Sequence, residues 1–168
     1  MISPSMQTAL NEQIRAEIYS SHLYLSMAAY CYSLNRNGFA HWLRMQADEE
    51  RAHGMKLFDY LNARDGRVLL QAVEQPPQDF KSVSDVFAQT LAHEKQVTQL
   101  IYKLFETAQS EKDYATMESL RWFITEQVEE EATANEIVEK IKMLGESKEA
   151  LYLLDREMGE RAAGAGEA

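Results

Sequence analysis

An all-α fold is what this sequence predicts: a four-helix bundle with one long crossover loop and a short fifth C-terminal helix. Three observations predict it. Only 7 Gly and 3 Pro interrupt 168 residues, and apolar residues make up 45% of them, enough for a packed core and too many for a disordered chain. Four long segments repeat their apolar residues at steps of three and four, the period of a helix with one buried face. The connections between those segments run short, long, short, an order that fixes how the helices can lie.

The first helix is expected from about Ser5 to Leu34, with an inward stripe of Leu10, Ile14, Glu17, Ser21, Tyr24 and Ala28. Asn35-Arg36-Asn37-Gly38 follows, a turn signal whose glycine suits a left-handed conformation. So short a turn makes the next helix an antiparallel neighbour. That helix spans about Phe39 to Arg64, with stripe Leu43, Gln46, Glu50, His53, Leu57 and Leu61.

The third helix is expected over about Val83 to Gln109, capped by Ser82 or Ser84, with stripe Phe87, Thr90, Glu94, Val97, Ile101, Leu104 and Ala108. A short link near Ser110–Asp113 turns the chain back into the fourth, Tyr114 to Leu144. Its stripe is Leu120, Phe123, Gln127, Glu130, Ala134, Ile137, Ile141 and Leu144, and Gly145 stands where it should stop. The middle connection, Asp65–Lys81, holds Gly66 and Pro76-Pro77. Each helix is roughly 40 Å long, and an extended segment of this size reaches roughly 55 Å. The loop can therefore travel the length of the bundle and make the second and third helices parallel. Its apolar run Val68-Leu69-Leu70 implies packing against something. Residues Glu146–Glu157, with Leu151, Leu153 and Leu154 and followed by Met158, read as a short fifth helix that cannot bury its apolar side alone. One domain thus covers 1–158, and 159–168 reads as a small, polar, mobile tail.

Charge and cysteine usage narrow the function. Asp and Glu number 27 against 17 Lys and Arg, a formal charge of -10. Such a surface repels nucleic acid and attracts cations. The single cysteine, Cys31, excludes an internal disulfide framework. Met1-Ile2-Ser3-Pro4-Ser5 lacks the basic patch and apolar run of a secretory signal, and no apolar stretch is long enough for a membrane span. A cytoplasmic protein with no membrane partner is expected.

Each stripe carries one acid near its middle: Glu17, Glu50, Glu94 and Glu130. His53 lies three residues after Glu50, on the same helical face. A lone glutamate on a helix is ordinarily solvated, and a lone core histidine is ordinarily hydrogen-bonded. Four acids at matching depth are another matter. Buried unpaired carboxylates cost several kcal/mol each and repel one another, and no Lys or Arg lies on the stripes to neutralise them. Bound cations are the remaining simple answer. Carboxylates with one imidazole suit a hard or borderline metal such as Fe(II) or Mn(II). His22, His41 and His93 have no such company and read as ordinary residues.

At these residues the sequence resembles the bacterial ferritins. The stretches that carry the likeness are Glu17-Ile18-Tyr19-Ser20-Ser21-His22-Leu23-Tyr24-Leu25, Asp48-Glu49-Glu50-Arg51-Ala52-His53, His93-Glu94 and Glu126-Gln127-Val128-Glu129-Glu130-Glu131. It extends over nearly the whole chain, and a bundle with a single long crossover is the ferritin-like arrangement. The resemblance implies Glu17, Glu50 and His53 as ligands of a first iron. It implies Glu50, Glu94 and Glu130 as ligands of a second, with Glu50 bridging. Gln127 resembles the neutral side chain near the oxygen-binding side. Tyr24 resembles the tyrosine beside the centre, either as a core aromatic whose hydroxyl caps a carboxylate or as an electron donor. Trp122 is a further aromatic nearby, read chiefly as packing. A third iron beside the pair is implied at Glu49, Glu126 and Glu129, with Glu130 reaching both; Glu131 reads as part of a solvated acidic patch.

Two departures separate this chain from close relatives. Bacterioferritins and many di-iron enzymes place a second histidine three residues after the last ligand glutamate, and bacterioferritins also supply a methionine to haem directly after the ligand glutamate of the second helix. Here those positions are Thr133 and Arg51, so no haem is expected. The stretch near Met117 and Leu120 is apolar where animal chains have an acidic pore. The implied activity is that of a ferroxidase, with O2 or H2O2 oxidising Fe(II) and the ferric product stored as mineral in a cage of about 24 subunits. The alternatives are another ferritin-like di-iron oxidase or peroxidase, or a non-catalytic helical scaffold. A rubrerythrin-like peroxidase would bring a rubredoxin-type Cys cluster; a DNA-protecting mini-ferritin would lack the fifth helix and usually carry a basic arm; a scaffold leaves the buried acids unexplained.

Overall fold

The computed structural model describes residues 2–145 and 147–162. Five helices follow in order: α1 (Pro4–Ser33), α2 (Asn37–Ala63), α3 (Val83–Ser110), α4 (Tyr114–Leu144) and α5 (Lys148–Met158). The sequence starts the fifth helix at Glu146, which lies outside the described residues, as does the tail from 163 to 168.

Local chemistry sets most helix starts. Ser3 accepts from Met6 N, Ser82 from Asp85 N, Asp113 from Thr116 N and Ser147 from Ala150 N, each satisfying one backbone donor that the first turn leaves free. Of the two candidate caps for α3, Ser82 is the one used. α2 has no side-chain cap of its own. Asp155, on α5, supplies it from a distance: its Oδ1 accepts from Gly38 N at 3.1 Å and Phe39 N at 3.0 Å.

This contact corrects the turn reading. The left-handed residue between α1 and α2 is Asn35 (φ 56°), not Gly38, which lies within α2. A Cβ on Gly38 would stand 1.5 Å from the carbonyl oxygen of Asp155, so the glycine is required for close approach of α5. The fifth helix accordingly buries part of its apolar side in its own bundle, through Leu154 and Met158. Leu153 and Tyr152 remain exposed.

The crossover runs along α1. Arg67 N donates to Gln7 Oε1, Leu69 N donates to Asn11 Oδ1, and further on Ser26 donates to the carbonyl of Pro77. Of its apolar run, Val68 packs on the core while Leu69 and Leu70 stay exposed. The crossover brings the start of α3 to the start of α2, where Phe87 meets Phe39 and Trp42 with ring centroids 5.5 Å apart. α2 and α3 are parallel, as the loop length requires.

Two apolar clusters fill the bundle. One, around Tyr24, Met27, Phe39, Leu43, Phe87 and Ile137, includes the contacts to α5. The other, around Leu10, Ile14, Leu57, Ile101, Leu104 and Phe123, fills the opposite end. The acids of the four stripes lie between them.

Candidate metal centre

Glu17, Glu50, Glu94, Glu130 and His53 are all buried. Helical spacing explains why. Each acid continues a stripe whose members above and below it are core residues, so packing the stripe inward takes the carboxylate with it. One ligand atom each of Glu17, Glu50 and His53 falls within 4.8 Å of the others. His53 also forms a second such trio with Glu126 and Glu130. The imidazole therefore stands between two groups of acids, its Nδ1 3.6 Å from Glu50 Oε2 and its ring edge against Trp122 and Phe123.

Glu94 enters the layer from α3. The Tyr24 hydroxyl donates to its Oε1, and Gln127 Nε2 donates to its Oε2 at 3.3 Å and to its main-chain carbonyl at 3.2 Å. Tyr24 thus has the carboxylate-capping contact that the sequence offered as one of its two roles. Its ring meets His93 edge-on; His93, read as ordinary, is half-buried beside the centre and hydrogen-bonds Ser20 at 2.8 Å.

Two amides absent from the predicted site also hold it. Gln13 donates to Glu17 at 2.8 Å. Gln46 donates from Nε2 to Glu130 at 2.7 Å and to Glu50 at 3.4 Å. The signal was in the sequence: each glutamine lies four residues before a ligand candidate, where helix geometry makes them neighbours.

The electrostatics of the layer favour a cation. Burial pushes Glu17 above the usual carboxylate range, while its hydrogen bond from Gln13 pulls the other way. Burial and then the charge of Glu94 raise Glu50 and Glu130 well above it. Glu94 is raised to about 7, chiefly by burial, against the opposing hydrogen bonds of Tyr24 and Gln127. His53 is lowered to about 4 by burial and by Lys56, so near neutrality it is an uncharged ligand. Glu17 Oε2 and Glu50 Oε2 are buried with no hydrogen-bond partner. Buried oxygens of this kind are normally satisfied, and a bound cation would satisfy them.

The acids expected beside the pair fare differently. Glu126 is largely buried and joins the trio with His53 and Glu130. Glu129 is exposed. Glu49 forms an ion pair with Arg161. Glu131, expected in a solvated patch, is half-buried and accepts from Thr98 at 2.5 Å. In the stretch read as a tail, the Arg161 guanidinium donates to the Trp42 carbonyl, Gln46 and Glu49 of α2. No helix among the described residues is long and apolar enough to cross a membrane.

Comparison with known proteins agrees with this geometry. A family model described as the ferritin-like domain matches residues 7–144. The chain is 41% identical to the bacterial non-heme ferritin of Staphylococcus epidermidis over 162 residues, covering 96% of this chain and 98% of that one. It is also 41% identical to the bacterial non-heme ferritin of Staphylococcus aureus over 161 residues, 96% and 97% of the two chains. Among solved structures it is similar to the open pore ferritin of the archaeon Archaeoglobus fulgidus, with a TM-score of 0.95 and 50% identity over 96% of this chain and all of that one.

Proposed function

The chain belongs to the ferritin family and its function is iron storage; from that premise we propose that its carboxylate layer is a ferroxidase centre. Fe(II) is the substrate. Glu17, Glu50 and His53 hold one ion; Glu50, Glu94 and Glu130 hold the other, with Glu50 bridging. The observation that carries this reading is the pair of partnerless buried oxygens on Glu17 and Glu50 beside the uncharged His53. Two Fe(II) ions each give up one electron, and O2 takes both electrons and two protons to become H2O2. H2O2 as oxidant takes the same two electrons and two protons to give water. The hard carboxylate set favours Fe(III) over Fe(II) and so drives the oxidation forward.

The remaining residues orient this set. Gln13, Gln46 and Gln127 donate to the carboxylates and fix which oxygens face inward. Tyr24 holds Glu94 through its hydroxyl. Proposed beside the pair is a third ion, taken by Glu49, Glu126 and Glu129 with Glu130 shared. Of that set, Glu126 and Glu130 fall in one grouping, with His53. Arg51 stands where a haem-binding relative would need methionine, and the reading includes no haem; Thr133 stands where many di-iron relatives have a second histidine. Self-association completes it: a cytoplasmic cage of about 24 chains encloses the ferric mineral.

The deciding experiment loads the iron-free protein with Fe(II) under anaerobic conditions and then admits air. The expected outcome is ferric iron that stays soluble and co-elutes with a large particle. Ferric precipitate with no protein-bound iron would refute the reading.

A further inference from the structure

Arg161 reaches back from beyond α5 to α2, and it does so by five contacts. Its carbonyl is 2.9 Å from His41 Nε2. Its guanidinium lies over the Trp42 ring, 4.5 Å from the centroid. One guanidinium nitrogen donates to the Trp42 carbonyl at 3.4 Å and to Gln46 Oε1 at 3.0 Å; the other donates to Glu49 Oε2. Both members of the Arg161–Glu49 pair are mostly buried, with side chains 14% and 15% exposed. The pair therefore sits where water screens little.

Two consequences follow for the centre. Gln46 has its amide oxygen engaged by Arg161, which leaves its nitrogen for Glu130 and Glu50. Arg161 thus fixes the orientation of an amide that in turn holds two ligand candidates. Glu49 meanwhile is already neutralised by a cation of the protein's own, although its second oxygen, Oε1, is buried without a hydrogen-bond partner. A metal ion and a guanidinium cannot both occupy the same side of one carboxylate without facing each other's charge.

We propose that Arg161 is a latch on the third ion position: its guanidinium holds Glu49 and must give way when a cation binds there. This rests on the reading of a third ion beside the pair. Metal binding at Glu49 and release of the C-terminal segment from Trp42 and His41 are then one event. The segment after α5 becomes the reporter of how far the centre has filled. By the reciprocity of linked equilibria, the latch weakens the third ion by the same factor by which the ion loosens the latch.

The test uses the assembled iron-free protein and Zn(II), a redox-inert probe, followed by calorimetry in wild type, Arg161→Ala and Arg161→Lys. In Arg161→Ala the third Zn(II) should bind about tenfold tighter, while the two ions of the pair, whose Gln46 loses its anchor, should bind no tighter than in wild type. Arg161→Lys should restore most of the wild-type weakness. Crystals of the wild-type protein soaked in Zn(II) should show the guanidinium gone from Glu49. A third ion of equal affinity in wild type and Arg161→Ala would overturn the latch and leave the third site standing. No third ion in any of the three proteins would overturn the third site, and the latch with it. Should Arg161→Ala fail to assemble, the soaked wild-type crystal still decides: Zn(II) on Glu49 with Arg161 unmoved refutes the proposal.

Discussion

Gly38 and Asp155 stand so close that no side chain fits between them: a Cβ on Gly38 would lie 1.5 Å from the Asp155 carbonyl oxygen. Glycine within a helix is normally a weakness, and alanine there gains about 1 kcal/mol from helix propensity. At Gly38 the sign reverses. The obstructing atom is backbone, so α5 must move off α2, taking with it the Asp155 cap and the burial of Leu154 and Met158. Gly38→Ala should destabilise by about 1–3 kcal/mol and raise hydrogen exchange across 148–158 before the rest of the chain. An unchanged melting temperature would show that α5 is not docked this way.

Glu50→Ala removes the carboxylate assigned to both irons. Loss of an outer hydrogen-bond partner of a metal site costs roughly 10–100-fold, and a bridging ligand should exceed that range. Single-turnover oxidation of two Fe(II) per chain should fall by about a hundredfold or more, with the assembled particle intact. His53→Ala should weaken one of the two ions selectively. Normal fast phases in both variants would move the chemistry elsewhere.

Gln46→Leu keeps the side-chain volume but removes the donor to Glu130 and Glu50 and the acceptor for Arg161. Anaerobic Fe(II) affinity should drop roughly 10–100-fold, measured by equilibrium titration. Gln46→Glu should not rescue it, because a fifth carboxylate restores the shape and adds repulsion.

Stability of the iron-free protein should fall as pH rises from about 6.5 to about 8. Glu94 is raised to about 7, and Glu50 and Glu130 lie well above the carboxylate range. A raised carboxylate stabilises the fold fully below its unfolded value of 4.5 and loses that contribution as pH climbs through its folded value. His53 and His93 are lowered to about 4; their contribution is complete above 6.5 and lost as pH falls towards 4. Above about 6.5 only the carboxylate loss remains. Thermal melts should follow that slope, and Zn(II) at the upper pH should reverse it with release of protons. A flat profile would mean that the layer is hydrated and ionised without metal.

Exposed Leu69, Leu70, Tyr152, Leu153 and Met143 are too apolar a set to leave in water. Light scattering at ordinary salt should find a closed particle of about two dozen chains. A monomer or dimer as the sole species would contradict the cage.

The helices and the acid layer were legible because helix periodicity is a local property and burial follows from it. Every residue of the first three stripes is buried, and so is the fourth down to Ile141. Gln13 and Gln46 were legible in principle but look like ordinary polar residues until the glutamate one turn on is known to be inside. Gly38 was assigned to the turn because turn glycines and contact glycines look alike in sequence, and only the position of α5 separates them. Arg161 had no local pattern at all. It lies in a stretch of Gly, Ala, Glu and Arg, and its partner Glu49 is 112 positions away. Long-range pairing of surface-type charges leaves no periodic trace.

Parallel packing of α2 and α3 divides the chain into two helical hairpins, α1–α2 and α3–α4, joined by the crossover. Contacts inside a hairpin close short loops and form early; contacts between hairpins must wait for the long one. The proposed ligands divide along the same line. Glu17, Glu50 and His53 belong to the first hairpin, while Glu94, Glu126 and Glu130 belong to the second. One three-residue grouping can therefore form within a half-folded chain, but the proposed pair of iron positions needs both halves docked. Docking is also the step that buries the acids of the two halves against one another, so the repulsion that a cation would relieve arises with the completed layer.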